Sequence, residues 1–123
     1  MNETMRIGKE LVQMCSARKN VDAIKKLFSD DVVSVESAEI PGMPRTMKGK
    51  EAIIGKNVWW MENHESHGEE IKGPFPHDNR FAVFFKIDVT ARQTGKRFQM
   101  EEVGLYTVEN GKITKEEFFY PTE

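Results

Sequence analysis

Two glutamates stand in strand-like stretches where a carboxylate is out of place. Glu102 lies within Met100-Glu101-Glu102-Val103-Gly104-Leu105-Tyr106, and Glu117 within Lys115-Glu116-Glu117-Phe118-Phe119-Tyr120. A carboxyl group among apolar neighbours is costly to ionise unless it is paired, protonated or wetted by a pocket. One held near neutral pH can both give and take a proton. Tyr106 and Lys115 are its candidate partners. A second group is Asn63-His64-Glu65-Ser66-His67. Histidines three apart on a helix suit a metal, and either could act as a general base. This pair sits at a helix-to-strand junction with no cysteine or third histidine close by, so no metal site is expected. His67 is read as a pocket acid or base, and His64 as a lining residue. Trp59 and Trp60 are about 100° apart on a helix, so one packs in the core and the other roofs a pocket or meets a partner subunit. Glycine-rich phosphate loops, a nucleophile elbow and Cys-x-x-Cys are absent from the sequence, and no cofactor is expected.

The elements that must hold these groups follow from periodicity and turns. Ile7, Leu11, Val12, Met14 and Cys15 recur at helical spacing over 5–18, and Asn20 is placed to cap a second helix with Val21, Ile24, Leu27 and Phe28 on one face. Asp30-Asp31 closes it, and the β-branched run 32–36 reads as a strand. Pro41, Gly42 and Pro44 make 40–46 a loop or an edge. A third helix follows Gly49, with Ile54, Val58 and Met61 as its apolar stripe. A short strand over 67–72 stops at Gly73-Pro74. Phe81, Val83, Phe85, Ile87, Val89 and Ala91 then alternate. Turns at Thr94-Gly95 and Asn110-Gly111 give three antiparallel strands, 79–92, 96–109 and 112–120. The longest would span about 40 Å if straight, so the sheet must twist and bend around a bulge.

Two-residue turns fix a register. The first pairs Val89 with Met100, Ile87 with Glu102, Phe85 with Gly104 and Val83 with Tyr106. The second pairs Tyr106 with Lys115, Gly104 with Glu117 and Glu102 with Phe119. The most apolar face, which the helices should cover, then carries Glu102 among Ile87, Met100 and Phe119, with Glu117 beside Gly104. Trp59, Trp60, His64, Phe85, Met100, Glu117 and Phe119 are the expected ligand contacts. The opposite face gathers Phe84, Val103, Leu105, Phe118 and Tyr120 among charged residues. An apolar patch there suggests a homodimer interface.

The 123 residues are a single-domain length, so one domain over 1–123 is expected. A net charge of −2 gives no footprint for nucleic acid or an anionic membrane. No apolar run approaches membrane-spanning length. The polar, acidic start Met1-Asn2-Glu3-Thr4 is unlike a signal peptide, and the lone Cys15 fits a reducing compartment, so a cytoplasmic protein is expected.

The order of these pieces resembles a family. Two helices, Leu27-Phe28-Ser29-Asp30-Asp31-Val32, a Gly-Lys-Glu-Ala-Ile helix start at 49–53, and a long meander ending in Glu117-Phe118-Phe119-Tyr120 look like the SnoaL-like group of the nuclear transport factor 2-like superfamily. The resemblance implies an α+β cone, a cystatin-like roll in which three helices and a curved, mainly antiparallel sheet enclose a pocket, often as a dimer. Members include ketosteroid isomerase, polyketide cyclases, dehydratases and non-enzymatic binding or assembly domains. The isomerase's base lies on the first strand, a few residues past an Asp-Asp pair, and Glu36 falls there. Leu11 and Val12 stand where its helix-1 tyrosine would be, and Val103-Gly104 near its late-strand aspartate, so its electrophilic half is missing from this sequence.

Three functions fit. The first is cofactor-independent proton transfer (isomerisation, cyclisation or dehydration) on a small apolar or carbonyl-bearing molecule. Glu36 or Glu102 would be the base, with His67 and Tyr106 as acid or hydrogen-bond partners. The second is non-catalytic binding of a small ligand in the same pocket. The third is a dimerisation module acting through the exposed sheet face.

Overall fold

The computed structural model describes residues 2–40 and 42–122; Pro41, in the expected loop, lies outside the described residues, as do Met1 and Glu123. Helices α1 (Glu3–Ser16) and α2 (Asn20–Leu27) run into strand β1 (Phe28–Val35), followed by β2 (Thr46–Lys48), α3 (Lys50–Asn63), β3 (His64–His77), β4 (Arg80–Ala91), β5 (Arg97–Glu109) and β6 (Lys112–Phe119). One six-stranded sheet has the order β2-β1-β6-β5-β4-β3, antiparallel except for β1 beside β6. This is the expected α+β class of three helices on a curved, mainly antiparallel sheet. No helix among the described residues is long and apolar enough to cross a membrane.

Local chemistry starts the elements. Asn2 caps α1, its Oδ1 accepting from the Met5 N–H at 2.8 Å. Asn20 is the first helical residue of α2 rather than its cap; Lys19 takes the cap position without a side-chain bond. Asn110 and Gly111 both have positive φ, 50° and 78°, as a tight hairpin turn demands. Ile7 and Leu11 of α1, Ile24 and Leu27 of α2, and Ile53 of α3 are buried with Phe28, Val32, Phe81, Val83, Tyr106 and Ile113 of the sheet. That set is the core and fixes which sheet face is internal.

The registers differ from the expected ones in two ways. The β4–β5 loop is longer, 92–95, closed by Ala91 N–H to Lys96 O at 2.8 Å. Glu102 therefore lies opposite Phe85, and Gly104 opposite Val83. This slide of two residues keeps every side chain on its face. The β5–β6 hairpin begins as expected, Val108 opposite Ile113, but a bulge at Thr114 then sets Thr107 opposite Lys115 and Tyr106 opposite Glu116. One extra residue flips the rest of β6. Glu116 and Phe118 turn inward; Glu117, Lys115 and Phe119 turn outward. Phe119 is 50% exposed, and Lys115 lies 3.7 Å from Glu117 at the surface. Glu117, Lys115 and Phe119 thus leave the internal site, and Phe118 and Tyr120 leave the outer apolar patch, which keeps Phe84, Val103 and Leu105 and gains Phe119.

Strand β3 also runs through Gly73-Pro74 to His77, with register shifts between Ser66 and Gly68 and between Lys72 and Phe75. As an edge strand it tolerates a proline that a central strand would not. Glycine at 104 has a packing cause: a Cβ there would stand 2.8 Å from Tyr106 Cε2 and 3.2 Å from Phe118 Cε1. Gly104→Ala is expected to lower stability by about 1–3 kcal/mol, the cost of overpacking a filled core. Urea denaturation would read it, and an unchanged midpoint would contradict the packing.

Candidate active site

Four segments converge on one buried polar cluster. Lys56 comes from α3, one turn after the fully buried Ile53, and its Nζ donates to Ser34 Oγ at 2.7 Å and to Glu36 Oε2 at 2.8 Å. The Lys56 and Glu36 side chains are only 10% and 12% exposed. Ser34, on the inner side of β1, donates its own hydroxyl hydrogen bond to Glu116 Oε2 at 2.7 Å. Tyr120, just past β6, donates to Glu36 Oε1 at 2.8 Å. The backbone of Glu36 is held as well, its N–H on Arg45 O and its O taking Arg45 Nε. The Phe118 ring lies against the ammonium, 5.5 Å from Nζ to centroid.

Glu102 stands apart within this group. It lies on the inner face of β5 opposite Phe85, partly buried, and its carboxyl makes no hydrogen bond or ion pair among the described residues. Burial, reinforced by the charges of Glu36 and Glu116 and opposed by Lys56, pushes its pKa up to about 7. Burial likewise lifts Glu116 to about 7, against the pull of Lys56 and the Ser34 hydrogen bond. Tyr120 is raised to about 12 by burial and by its bond to Glu36. Tyr106, wholly internal and stacked on Phe81 at 5.0 Å, is raised well above its ordinary value, so it is a neutral donor. Three carboxyl groups share one ammonium, so Glu102 and Glu116 keep their protons below pH 7 and give them up as the pH rises through it.

That arrangement fixes a sign for stability. The unfolded carboxyls ionise near 4.5 and the folded ones near 7. Between these values the folded state binds more protons, so stability is fully present below the unfolded pKa and is lost as pH rises through 7. Each group accounts for about 3 kcal/mol of that loss. Urea midpoints should fall from pH 5 to pH 8, and Glu116→Gln should flatten the fall; a rise over this window would refute the protonated cluster.

The expected site residues are only partly brought together. Glu36, Glu102 and Tyr106 share the interior, with Phe85 beside Glu102. His67 does not join them. It is the extra residue where β3 shifts register between Ser66 and Gly68, and it turns to the outer side, 2.6 Å from Thr90 Oγ1. Trp59, Trp60 and His64 form an aromatic group with Phe98 at the end of α3. Trp60 stacks on His64 at 3.7 Å, and His64 meets Phe98 edge-on at 6.2 Å. Phe118 lies between the Lys56 ammonium of α3 and the Tyr106 ring of β5, 5.5 Å from the one and 6.3 Å from the other. One concavity of about 480 Å³ runs along the start of β5 and touches the cluster at Tyr120, with Met100 also in its lining; another, of about 170 Å³, lies between Gly68 and Gln99; neither is lined by Glu102 or Lys56.

Ser34, Lys56, Glu116 and Tyr120 are not among the site residues expected from the sequence, which places Tyr120 on the outer face instead. Lys56 had a signal, since positions 53, 56 and 60 share one helix face. That face competes with Ile54, Val58 and Met61, and Met61 is in fact 46% exposed. Glu116 had none, because the Thr114 bulge leaves no mark in composition.

A SnoaL-like domain family matches residues 3–120. The chain belongs to the SnoaL-like family. Among solved structures, the SnoaL-like chain is similar to a candidate SnoaL-like polyketide cyclase from Mesorhizobium loti, at 45% identity over 94% of this chain and 97% of that one, with a TM-score of 0.88. It shares its fold with a candidate isomerase from Bacillus subtilis, at 16% identity, 98% and 90% coverage and a TM-score of 0.80. The fold also matches an epoxide hydrolase from M. tuberculosis, at 14% identity, 97% and 83% coverage and a TM-score of 0.67. No curated protein matches the chain. The SnoaL-like assignment carries the nuclear transport factor 2-like, ketosteroid isomerase-like fold with it.

Proposed function

We propose that this SnoaL-like protein is a cofactor-independent proton-transfer enzyme acting on a small, neutral, carbonyl-bearing molecule, with Glu102 as its acid and base. One observation carries the reading: Glu102 is a carboxyl on the inner sheet face without a hydrogen-bond or ion-pair partner among the described residues, beside the Lys56 network. Two of the three N–H donors of Lys56 are committed to Ser34 and Glu36, leaving one for a substrate oxygen. Glu102 takes a proton from the carbon next to the carbonyl, and the developing enolate charge is met by Lys56 and by Tyr106 O–H. Return of the proton from Glu102 to the same or a vinylogous carbon completes exchange or isomerisation with no change in composition. A candidate cyclase, a candidate isomerase and an epoxide hydrolase that share this fold support a reading of small-molecule chemistry. The single cysteine, buried and free, supports a reducing setting such as the cytoplasm.

The test is solvent deuterium exchange into cyclohexanone and a β,γ-unsaturated cyclohexenone, followed by NMR. Exchange should rise with pH around a midpoint near 7, and the carboxyl carbon of Glu102 should titrate at the same pH. Exchange no faster than buffer, together with a Glu102 that titrates like an ordinary surface carboxyl, would refute it.

A further inference from the structure

The ladder between β5 and β6 stops early, and a proline marks where. Its last rung sets Val103 opposite Phe119, whereas β5 goes on pairing with β4 back to Arg97 opposite Thr90. One more hydrogen-bonded rung on the β6 side would set Glu101 opposite Pro121. Ala91 N–H bonds Lys96 O, so antiparallel alternation turns the N–H and C=O of Phe98, Met100 and Glu102 toward β4 and those of Arg97, Gln99 and Glu101 away from it. Glu101 thus offers both backbone groups to a position whose residue has no N–H to give.

The tail is also held off. Ser37 Oγ donates to Phe118 O at 2.6 Å, Tyr120 N–H to Ser37 Oγ at 3.4 Å, and Tyr120 O–H to Glu36 Oε1 at 2.8 Å. These bonds carry the chain after Phe119 toward the exit of β1 instead of along β5. Between tail and strand lies the concavity of about 480 Å³, lined by Lys86, Gln99, Met100, Glu101, Tyr120 and Pro121. That volume is in the range of small-ligand clefts. No strand among the described residues pairs with 97–102 on this side.

The backbone groups select one kind of ligand. Gln99 and Glu101 each present an N–H and a C=O, about 7 Å apart along the strand. An extended peptide laid antiparallel, in line with β6, meets both. Its residues opposite Glu101 and Gln99 each exchange two hydrogen bonds with the strand. Its middle residue stands opposite Met100, with its side chain on the inner side near Met100 and Tyr120, and so is apolar. We propose that this groove is a peptide-binding site, taking an extended tripeptide segment with an apolar centre as an added strand on Gln99 and Glu101. The site is independent of the chemistry proposed for Glu102.

Selective N-methylation tests it. The probe is N-acetyl-Ala-Leu-Ala-N-methylamide, titrated into the full chain labelled with nitrogen-15. Amide signals of Gln99, Glu101 and Tyr120 should shift and saturate, while those of Phe84 and Phe119 stay in place. Methylating the nitrogens of both alanines removes the N–H groups that face β5, and should weaken binding at least tenfold. Methylating only the leucine nitrogen, which faces away from β5, should leave the affinity within about threefold of the parent. Gln99→Pro deletes a strand donor that serves no ladder bond and should also weaken binding about tenfold, whereas Gln99→Ala should not. If Gln99→Pro fails to fold, the two methylated peptides carry the test alone. No saturable shift over 97–101, or equal affinity for the two methylated peptides, would overturn the proposal. So would edge amides already protected from hydrogen exchange in a dimer before any peptide is added, which would mean that a second copy fills the edge.

Discussion

Replacing Glu102 by glutamine is expected to remove deuterium exchange into a ketone substrate by a factor of about 10² to 10⁴, the span a positioned acid–base group supplies. The amide keeps the shape of the carboxyl but cannot carry the proton. The same change should leave the fold intact and raise its stability at pH 8. Glu102 makes no hydrogen bond that the substitution would break, and ionising its carboxyl above pH 7 is a cost that burial imposes on the folded state. A group kept for structure would show the opposite, lost stability with exchange unaffected. Activity loss joined to a gain in urea midpoint at pH 8, and no gain at pH 5, is therefore the signature to seek. Exchange that survives in the folded variant would dismiss Glu102 as the base and return the choice to Glu36. Glu36 is a poor alternative on geometry, because Lys56 and Tyr120 both hold its carboxylate and a proton acceptor must be free to accept.

Lys56→Met is the second large effect. The ammonium is the only cation in the cluster among the described residues, bonded to Ser34 and Glu36 and lying against Phe118. Methionine fills similar space but leaves the Glu36 carboxylate with Tyr120 alone and the Ser34–Glu116 pair without its charge. Breaking a buried ion pair from one side costs about 3–5 kcal/mol. Combining Lys56→Met with Glu36→Gln removes the orphaned charge as well, so the double variant should recover part of the loss. Urea unfolding at pH 7 reads both. A single-variant loss under about 1 kcal/mol would mean that the cluster is hydrated rather than buried, at the low end expected for exposed pairs.

These two residues mark how far the sequence could be read. Glu102 was legible because an alternating apolar strand makes one acidic position conspicuous, and its face survived an error in register. The loop is longer than a two-residue turn at 94–95, but the slide this causes is an even number of residues, and side chains in a strand repeat every two. Glu116 was not legible for the same reason in reverse. A single extra residue at Thr114 exchanged it with Glu117, and nothing about a threonine between Ile113 and Lys115 announces a bulge. Lys56 fell between these cases: its helix is apolar on more than one side, so periodicity could not choose the buried stripe, and a lysine is assumed to face water until its partners are known.

The sequence by itself determined the class of fold, the order of its elements, the hairpin at Asn110-Gly111 and the presence of a carboxylate on the inner sheet face. Each rests on local rules: apolar periodicity, positive φ at a turn, and side-chain alternation. Tertiary structure alone decided the electrostatics around that carboxylate. Ser34, Glu36, Lys56, Glu116 and Tyr120 come from β1, its exit, α3, β6 and the chain beyond it, with Lys56 and Tyr120 64 positions apart in the sequence. No local pattern relates them. Their protonation states arise from distances of a few ångströms and from exclusion of water, which exist only once helix α3 is laid over the sheet.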